Sequence, residues 1–587
     1  TVLNARAARI ADLSGLEYCI NLKELRLPWN RITDVSSVSH LTGLVEMNLD
    51  GNPIKDLSPL SGISSLQKFS LSWNPNSPHF PPYVDSLTGF RSVKDVSPLS
   101  GLTNLVSLNL SWNQISDIAP LSSLTNLVSL DLSFNPISDI SPLYKLPELT
   151  ELNLSGLNLG GYLKDLSQLK PLTQLKTLKL SSYIDDEIVF TRWIYQGFVS
   201  MKPLGSINDL SPLSQLTNLT SLDVGWNQIS DLSPLSSLQN LTELSLYGNR
   251  ITDVSPLSSL NNLTTLNLLF NDIYDLSPLA SITGLKKLSL SPQTNIEFDA
   301  APLASLTNLT SLWLQGNQID NLSALEHLSN LTELRTSDKA LAHLSNLTKL
   351  EKVSLGGHQI GDLSPLVELP NLTELFINNG DISDISVLTK MKNLTILGID
   401  ENPLSDISPL SSLTSLEELH LNTDKVVDLS ALSNLTGLKI LDLPGNQISD
   451  LSPLSSLVNL RELRLNNNHI EDLTPLSRLT NLEKLDVSFN SIIDISPLAG
   501  LKKLLELNLS ANKISDITPV SNLKNIVQID LSSGDSNGNQ ISDVAPLLSL
   551  PDLELVFLGG NPLSVKSLNE YIPQLKGRGI YVIPYMQ

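Results

Sequence analysis

Large aromatic side chains recur at one position of this sequence, the residue directly before a regularly spaced asparagine. Examples are Trp29, Trp73, Trp112, Phe134 and Trp226. Exposed rings of this kind can stack on sugar rings or anchor a protein partner. A second interpretation stays open, in which the rings stack on one another and cover the turns at the asparagines. The chemistry that the sequence offers here is therefore non-covalent recognition or packing.

A second group of candidate residues interrupts a row that otherwise consists of Ser, Asn and Asp. It comprises Trp313, Arg335, Phe376 and His420, each at the middle position of a predicted strand. Aromatic residues together with arginine are typical of binding hot spots. We therefore predict a second binding patch with Trp313, Arg335 and Phe376 at its centre.

Two long segments, 75–92 and 183–204, hold eight of the 28 aromatic residues of the chain. We select Tyr83, Trp193 and Tyr195 as candidate binding residues, because long loops on rigid scaffolds often carry function. Both segments begin just after the asparagine position, so they should emerge along one edge. They form a two-loop aromatic site, or each loop packs its own rings over the sheet edge; the sequence does not decide between the two.

The elements that position these residues repeat every 22 residues. LVSLNLSWNQISDIAPLSSL at 105–124 returns as LVSLDLSFNPISDISPLYKL at 127–146, and 23 such units follow one another from Leu22 onwards. The alternation of Leu130 and Leu132 with polar residues predicts a short, half-buried strand. Asn135 stands where the chain leaves that strand, and its amide can both donate to and accept from the backbone of neighbouring coils.

The second half of each unit predicts a single helical turn. Ser141 precedes Pro142, and this order suggests a hydroxyl cap followed by a short 3₁₀ helix. One unit cannot fold alone, since burying about six Leu or Ile side chains contributes roughly 9–18 kcal/mol, whereas ordering 22 residues costs roughly 33 kcal/mol. The units must therefore stack into a solenoid.

The repeated motif N-x-I-x-D-[IL]-x-P-L resembles the leucine-rich repeats of bacterial internalins and of the related protein-phosphatase regulatory subunits. The resemblance implies an α/β solenoid, a horseshoe or arc with a concave parallel β-sheet and short 3₁₀ turns on the convex side. Internalins grip protein receptors with aromatic residues of the inner face, so the resemblance also implies a protein partner. It does not identify that partner, because only scaffold residues match the motif.

We predict three regions in the chain: a degenerate N-terminal repeat with an incomplete cap at 1–21, the solenoid at 22–563 with its insertions at 75–92 and 183–204, and a C-terminal cap at 564–587. The incomplete cap leads us to expect further residues upstream of Thr1. At the other end, Leu568, Ile572 and Leu575 have helical spacing around Pro573, and a last strand is predicted at 580–584.

Composition and spacing argue against several functions. The formal net charge of −22 disfavours nucleic acids and anionic membranes, and no apolar run is long enough for membrane insertion. The seven histidines are scattered and no phosphate loop or nucleophile motif is present, so we expect no metal, no cofactor and no catalysis. The recurrent aspartates, such as Asp139 and Asp450, are interpreted as caps of their own turns rather than as a calcium site.

These observations predict a non-catalytic recognition module outside the cell or on its surface. It would bind a protein, or alternatively a glycan, with its concave face and aromatic loops. Two other functions stay open: a structural surface protein that self-associates, and a cytoplasmic scaffold that docks on an enzyme.

Overall fold

A computed structural model describes residues 1–73, 93–157, 163, 165–182, 205–290, 298–314, 319–356, 360, 362–422, 425–534 and 538–583, apart from residues 7 and 9. The chain divides into two compact units. The first comprises Thr1–Leu309 and Asn317–Ala324, and the second comprises Thr310–Gly316 and Leu325–Gln587.

Each unit is built on a ladder of short parallel strands. The strands described in the first unit are Val2–Asn4, Glu24–Arg26, Glu46–Asn48, Lys68–Ser70, Ser107–Asn109, Ser129–Asp131, Glu151–Asn153, Thr177–Lys179, Ser221–Asp223, Glu243–Ser245, Thr265–Asn267 and Lys287–Ser289, and Phe298–Asp299 pairs separately with Ile319–Asp320. Equivalent residues of successive coils face each other, as Leu108 faces Leu130. The 22-residue period therefore sets the register of the sheet directly.

The second unit has the same construction. Its described strands are Ser311–Trp313, Glu333–Ser337, Lys352–Gly356, Glu374–Asn378, Ile396–Asp400, Glu418–His420, Ile440–Asp442, Glu462–Arg464, Lys484–Asp486, Glu506–Asn508, Gln528–Asp530, Leu555–Phe557 and Tyr581–Ile583. Four of them have five residues instead of three, and in three of these repeats Lys339, His358 or Gly380 stands at the asparagine position. The fourth, Ile396–Asp400, is followed by Asn402, whose amide donates to the carbonyl oxygens of Ile377 and Asp400.

Short 3₁₀ helices lie on the return side of the coils. In the first unit they span Leu16–Tyr18, Ser36–Val38, Ser58–Leu60, Ser97–Gly101, Ala119–Ser123, Ser141–Lys145, Leu166–Leu169, Ser211–Gln215, Ser233–Ser237, Ser255–Ser259, Ser277–Ser281 and Ala301–Ser305; in the second unit they span Asp338–His343, Ser364–Glu368, Ser386–Lys390, Ser408–Ser412, Ser430–Leu432, Ser452–Ser456, Thr474–Arg478, Ser496–Gly500, Thr518–Asn522 and Ala545–Ser549, and a further one is Leu322–His327. The predicted solenoid with a parallel sheet and 3₁₀ turns is confirmed.

The core consists of the repeated Leu and Ile side chains. Leu130 and Leu132 are 1% and 0% exposed, whereas Ser129 and Asp131 beside them are half-buried. This alternation confirms the predicted half-buried strand. Because each coil leaves its flat faces apolar, neighbouring coils complete the core of one another.

The asparagine ladder is confirmed in full atomic detail. The amide of Asn249, which is 0% exposed, donates to the carbonyl oxygens of Val224 at 3.1 Å and Leu246 at 2.8 Å, and its own oxygen accepts the N–H of Ile229 at 3.0 Å. Two of these three groups belong to the preceding coil. The side chain therefore satisfies buried backbone groups that the turn leaves unpaired.

The caps of the 3₁₀ helices differ from the prediction in one respect. The backbone N–H of Ser141 donates to the carboxylate of Asp139 at 2.9 Å, and the residue next to the helix, Ile140, makes no side-chain cap. The predicted Ser141 hydroxyl cap is therefore wrong, because the aspartate two residues earlier already accepts the first free N–H. The prediction that each aspartate caps its own turn is confirmed, for example at Asp450.

At the end of the chain, a π-helical turn at Ser567–Tyr571 leads into an α-helix at Ile572–Gly577, with Pro573 in its first turn. The strand Tyr581–Ile583 then pairs with Leu555–Phe557. Within the described residues, no helix is long and apolar enough to cross a membrane.

Candidate functional site

The first and third residues of each strand point away from the core, and we call the surface that they form the strand face. In the second unit, one row of third residues runs through Trp313, Arg335, Ser354, Phe376 and Gly398 on successive paired strands. The row continues through His420 to Asp442 and Arg464. The structure therefore brings three predicted site residues, Trp313, Arg335 and Phe376, into one line.

Trp313 and Arg335 form a cation–π pair on neighbouring strands. The guanidinium carbon of Arg335 lies 4.5 Å from the centre of the Trp313 ring, and its Nε lies 3.3 Å from the carboxylate of Glu333. Only 13% of the Arg335 side chain is exposed, so part of its hydration is already lost. Such a preorganised aromatic–guanidinium pair has the composition of an interface hot spot.

Phe376 lies in the same row, three strands after Trp313. The ammonium of Lys352 is 5.8 Å from the centre of its ring and 3.3 Å from Glu374. On the other side, a Cβ placed at Gly398 would come within 2.7 Å of the Phe376 ring. The ring therefore lies over Gly398, and the absence of a side chain there makes room for it.

Beyond Phe376, the strand face becomes strongly ionic. His420 Nδ1 lies 3.4 Å from a carboxylate oxygen of Asp442, and that oxygen lies 3.0 Å from Arg464. The sequence analysis named His420 but missed Asp400, Asp442 and Arg464. The signal was available, since residues 22 positions apart in these repeats face each other across paired strands.

The aromatic residues before the asparagines occupy a distinct place, and we call them the rim rings. Six rim rings have a left-handed backbone, with φ between 52° and 61°: Trp29, Trp112, Phe134, Trp226, Phe270 and Phe489. Other repeats use Gly51, Gly156 or Gly248 there. A left-handed aromatic residue costs about 1–3 kcal/mol of strain, so these rings must make compensating contacts.

Those contacts are stacks along the solenoid. The rings of Trp112 and Phe134 are parallel within 11°, with centroids 4.0 Å apart. A Cβ added at Gly156 would meet the Phe134 ring at 2.4 Å, and one at Gly51 would meet the Trp29 ring at 2.3 Å. Each of these rings therefore covers the turn of the next coil, as the packing interpretation of the rim predicts.

Exposure differs among the rim rings. Trp226 is only 6% exposed and lies edge-on to Tyr247. Its ring is therefore packed against other side chains and does not form part of an open surface. Phe489 is 58% exposed. Trp29, Trp73, Trp112 and Phe134 are half-buried, and their binding role stays a prediction.

Three predicted site residues, Tyr83, Trp193 and Tyr195, lie outside the described residues, as do both long insertions. Among the side chains that the structure does describe, no cluster of three or more His, Cys, Asp and Glu residues could hold a metal ion.

The structure also contains a second asparagine ladder that the sequence analysis did not identify. Asn240 and Asn262, which precede the strands, donate to the carbonyl oxygens of Thr217 and Gln239 on the preceding coils, both at 2.9 Å. The recurrent T-N-L tripeptide, which becomes Q-N-L at Asn240 and N-N-L at Asn262, was the available signal. These asparagines are exposed, so their amides connect neighbouring coils by hydrogen bonds at the surface.

Comparisons with known proteins agree with this architecture. A family model described as leucine rich repeats in two copies matches residues 125–159, 239–281, 283–327, 436–478 and 480–525, and a single leucine rich repeat model matches 101–118 and 215–232. No match was found among curated protein sequences.

Solved structures include several similar chains. Internalin InlF of Listeria monocytogenes is 32% identical, with 58% of this chain and 93% of that chain covered and a TM-score of 0.43. Internalin C2 of the same organism is 35% identical over 33% of this chain and 84% of that chain, with a TM-score of 0.31. A leucine-rich repeat protein of Leptospira interrogans is 22% identical over 71% and 98%, with a TM-score of 0.48.

The repeat and its asparagine ladder define the chain as a leucine-rich repeat protein, which is a protein-interaction module. The identity to InlF over nearly the whole of that protein is more specific. The chain belongs to the internalin-like leucine-rich repeat proteins.

Proposed function

We propose that the protein is an extracellular or cell-surface recognition module that binds a folded protein partner through the strand face of its second unit. The observation that carries this proposal is the Trp313–Arg335 pair, which presents a partly desolvated cation against an aromatic ring. Phe376 extends the same row. The internalin-like sequence supports a location outside the cell.

The packing of the aromatic rings favours a protein over a glycan. A sugar stacks on the flat face of an aromatic ring. At the rim, however, Trp112 and Phe134 cover each other, and Trp29 faces Gly51. Phe376 likewise has Lys352 on one side and Gly398 on the other. Rings held in this way offer edges and an adjacent cation, which suit protein side chains better.

The test compares binding of the full chain to an array of purified extracellular protein domains and to a glycan array. We expect binding to at least one protein domain, and a loss of about thirtyfold in affinity for Trp313→Ala or Phe376→Ala, the size of an interface hot spot of about 2 kcal/mol. Val458→Ala is the matched control, because Val458 is 44% exposed outside the paired strands of the same unit.

Circular dichroism must show that each variant keeps the wild-type fold. Equal binding by wild type, Trp313→Ala and Phe376→Ala would refute a role for this surface. Binding to glycans alone, with the same sensitivity to Phe376→Ala, would refute the preference for a protein. Protease treatment of intact producing cells tests the location, since a surface protein is digested there and an intracellular one is protected.

A further inference from the structure

One histidine of the strand face is surrounded by carboxylates. The Nδ1 of His420 lies 3.4 Å from Asp442, and its Nε2 lies 3.9 Å from Glu418 on the same strand. The His420 side chain is 22% exposed and that of Asp442 is 12% exposed. The imidazole is therefore held between two negative charges with little water around it.

The strands on either side complete this group. On the preceding strand, Asp400 accepts the backbone N–H of Asn422 at 3.0 Å. On the following strands, Arg464 contacts Asp442 at 3.0 Å and Glu462 at 3.2 Å. Glu401 acts on Asp400, and Asp486 acts on Arg464, through their charges. Among these groups, only Arg464 is a permanent cation.

Burial raises the pKa of Asp400 to about 6, although the N–H of Asn422 and the charge of His420 oppose the shift. Burial by itself lowers the pKa of His420, but its hydrogen bond with Asp442 and the charges of Asp442, Asp400 and Glu418 outweigh that effect, so the pKa is raised above 6.5. Interacting groups of this kind release protons in two shared steps.

We propose that His420 and Asp400 form a proton-sensing pair in the strand face, which takes up two protons as the surroundings change from neutral to mildly acidic. Uptake converts an ionised carboxylate and a neutral imidazole into a neutral acid and an imidazolium. The local charge therefore rises by two, on a surface where the neighbouring carboxylates are Glu418, Asp442 and Glu462.

The folded protein binds both protons more tightly than the unfolded chain, because both pKa values are raised on folding. By linkage, the stability that each group contributes is complete below its unfolded pKa and is lost as the pH rises through its folded pKa. If the strand face binds a partner as proposed above, the affinity changes over the same pH range; this change in affinity rests on the proposed function, whereas the proton uptake does not.

The experiment is a proton titration of the full chain without any partner. Histidines are labelled with ¹³C at Cε1, and the His420 signal is assigned by its loss in His420→Gln. We expect a midpoint above 6.5 and a second inflection near pH 6 from Asp400. Asp400→Asn should remove the second inflection and lower the midpoint, since it deletes a charge that favours the imidazolium.

Glu506→Gln is the matched control, because it removes one negative charge from the same strand face four strands away. It should leave the His420 curve unchanged. A single midpoint at or below 6.5 would overturn the proposal, as would a curve that Asp400→Asn does not alter. If Asp400→Asn fails to fold, the presence or absence of two inflections in the wild type decides. A titration that contradicts the proton-sensing pair would not contradict partner binding through Trp313.

Discussion

Replacing Asn249 by Ala is expected to destabilise its coil far more than the same change at Asn240, which lies nine residues earlier in the chain. The Asn249 side chain is fully buried and holds the carbonyl oxygens of Val224 and Leu246 and the N–H of Ile229. Alanine leaves the N–H of Ile229 without its acceptor, whereas the carbonyl oxygen of Val224 keeps the amide of Asn227 at 3.1 Å and that of Leu246 keeps the amide of Asn271 at 3.0 Å. An unsatisfied buried donor costs about 1–3 kcal/mol and each lost hydrogen bond about 0.5–1.5 kcal/mol, so the cost is about 3 kcal/mol.

Asn240 makes one comparable bond, a 2.9 Å donation to Thr217, at an exposed position. Water can replace that bond, so Asn240→Ala should cost about 0.5 kcal/mol. The two variants therefore compare the buried ladder with the surface ladder at positions on either side of the same strand, Glu243–Ser245.

Hydrogen–deuterium exchange is the appropriate assay, because a stack of repeats opens locally rather than in one step. The amide of Arg250 is the reporter, because its bond to the carbonyl oxygen of Ile229 at 2.9 Å is kept in the variant. A cost of about 3 kcal/mol corresponds to about a hundredfold faster exchange at this amide when it exchanges through local opening. Urea denaturation followed by circular dichroism gives an independent comparison. Equal effects of Asn249→Ala and Asn240→Ala would refute the view that buried amides hold the coils together.

Three further results are expected. Gly156→Ala should lower stability by about 1–3 kcal/mol in urea denaturation, because it places a Cβ 2.4 Å from the Phe134 ring at a left-handed position; Gly62→Ala, with open space around it, should be nearly neutral, and equal losses would contradict the stacked rim. Asp139→Asn should destabilise at pH 7 and progressively less in acid, because hydrogen bonds from Ser141 lower the pKa of Asp139 and their contribution is lost as the pH falls through that lowered pKa; a loss that does not shrink in acid would contradict capping by the charge. Thermal unfolding should also show higher stability near pH 5.5 than near pH 8, owing to the raised pKa values of Asp400 and His420, and Asp400→Asn should reduce this difference; an unchanged difference would show that other groups cause it.

The scaffold could be predicted from the sequence because each position of the repeat has one local task. Leu130 alternates with polar residues, Asn135 follows the strand, and Asp139 precedes the return turn. These tasks are completed by the equivalent residues of the next coil, so a fixed period is enough to place them. The one local error, the Ser141 cap, arose because Ser141 is itself the first residue of the 3₁₀ helix, so its own N–H donates to Asp139 and Ile140 occupies the cap position.

The candidate site could be predicted only in part. The sequence analysis selected Trp313, Arg335 and Phe376 by their types, and the register of the strands places them in one row. It could not tell that Trp226 is buried, because burial depends on which side chains of neighbouring coils cover it. It also missed Asp400, whose carboxyl looks like many others until neighbouring coils partly bury it.

The sequence by itself therefore determined the coil: its period, its buried leucines, its asparagine turn and the parallel register, all of which follow from residues interacting within a coil or with the identical position of the next. Only the tertiary structure decided the state of the unusual residues. Side chains of different types, brought together from neighbouring coils, decide whether a ring is exposed or stacked, as Trp112 is on Phe134. They also decide whether a carboxylate such as that of Asp442 contacts a cation or solvent. Repetition predicts what is identical in each coil, whereas packing between unlike residues sets exposure, charge and hence recognition.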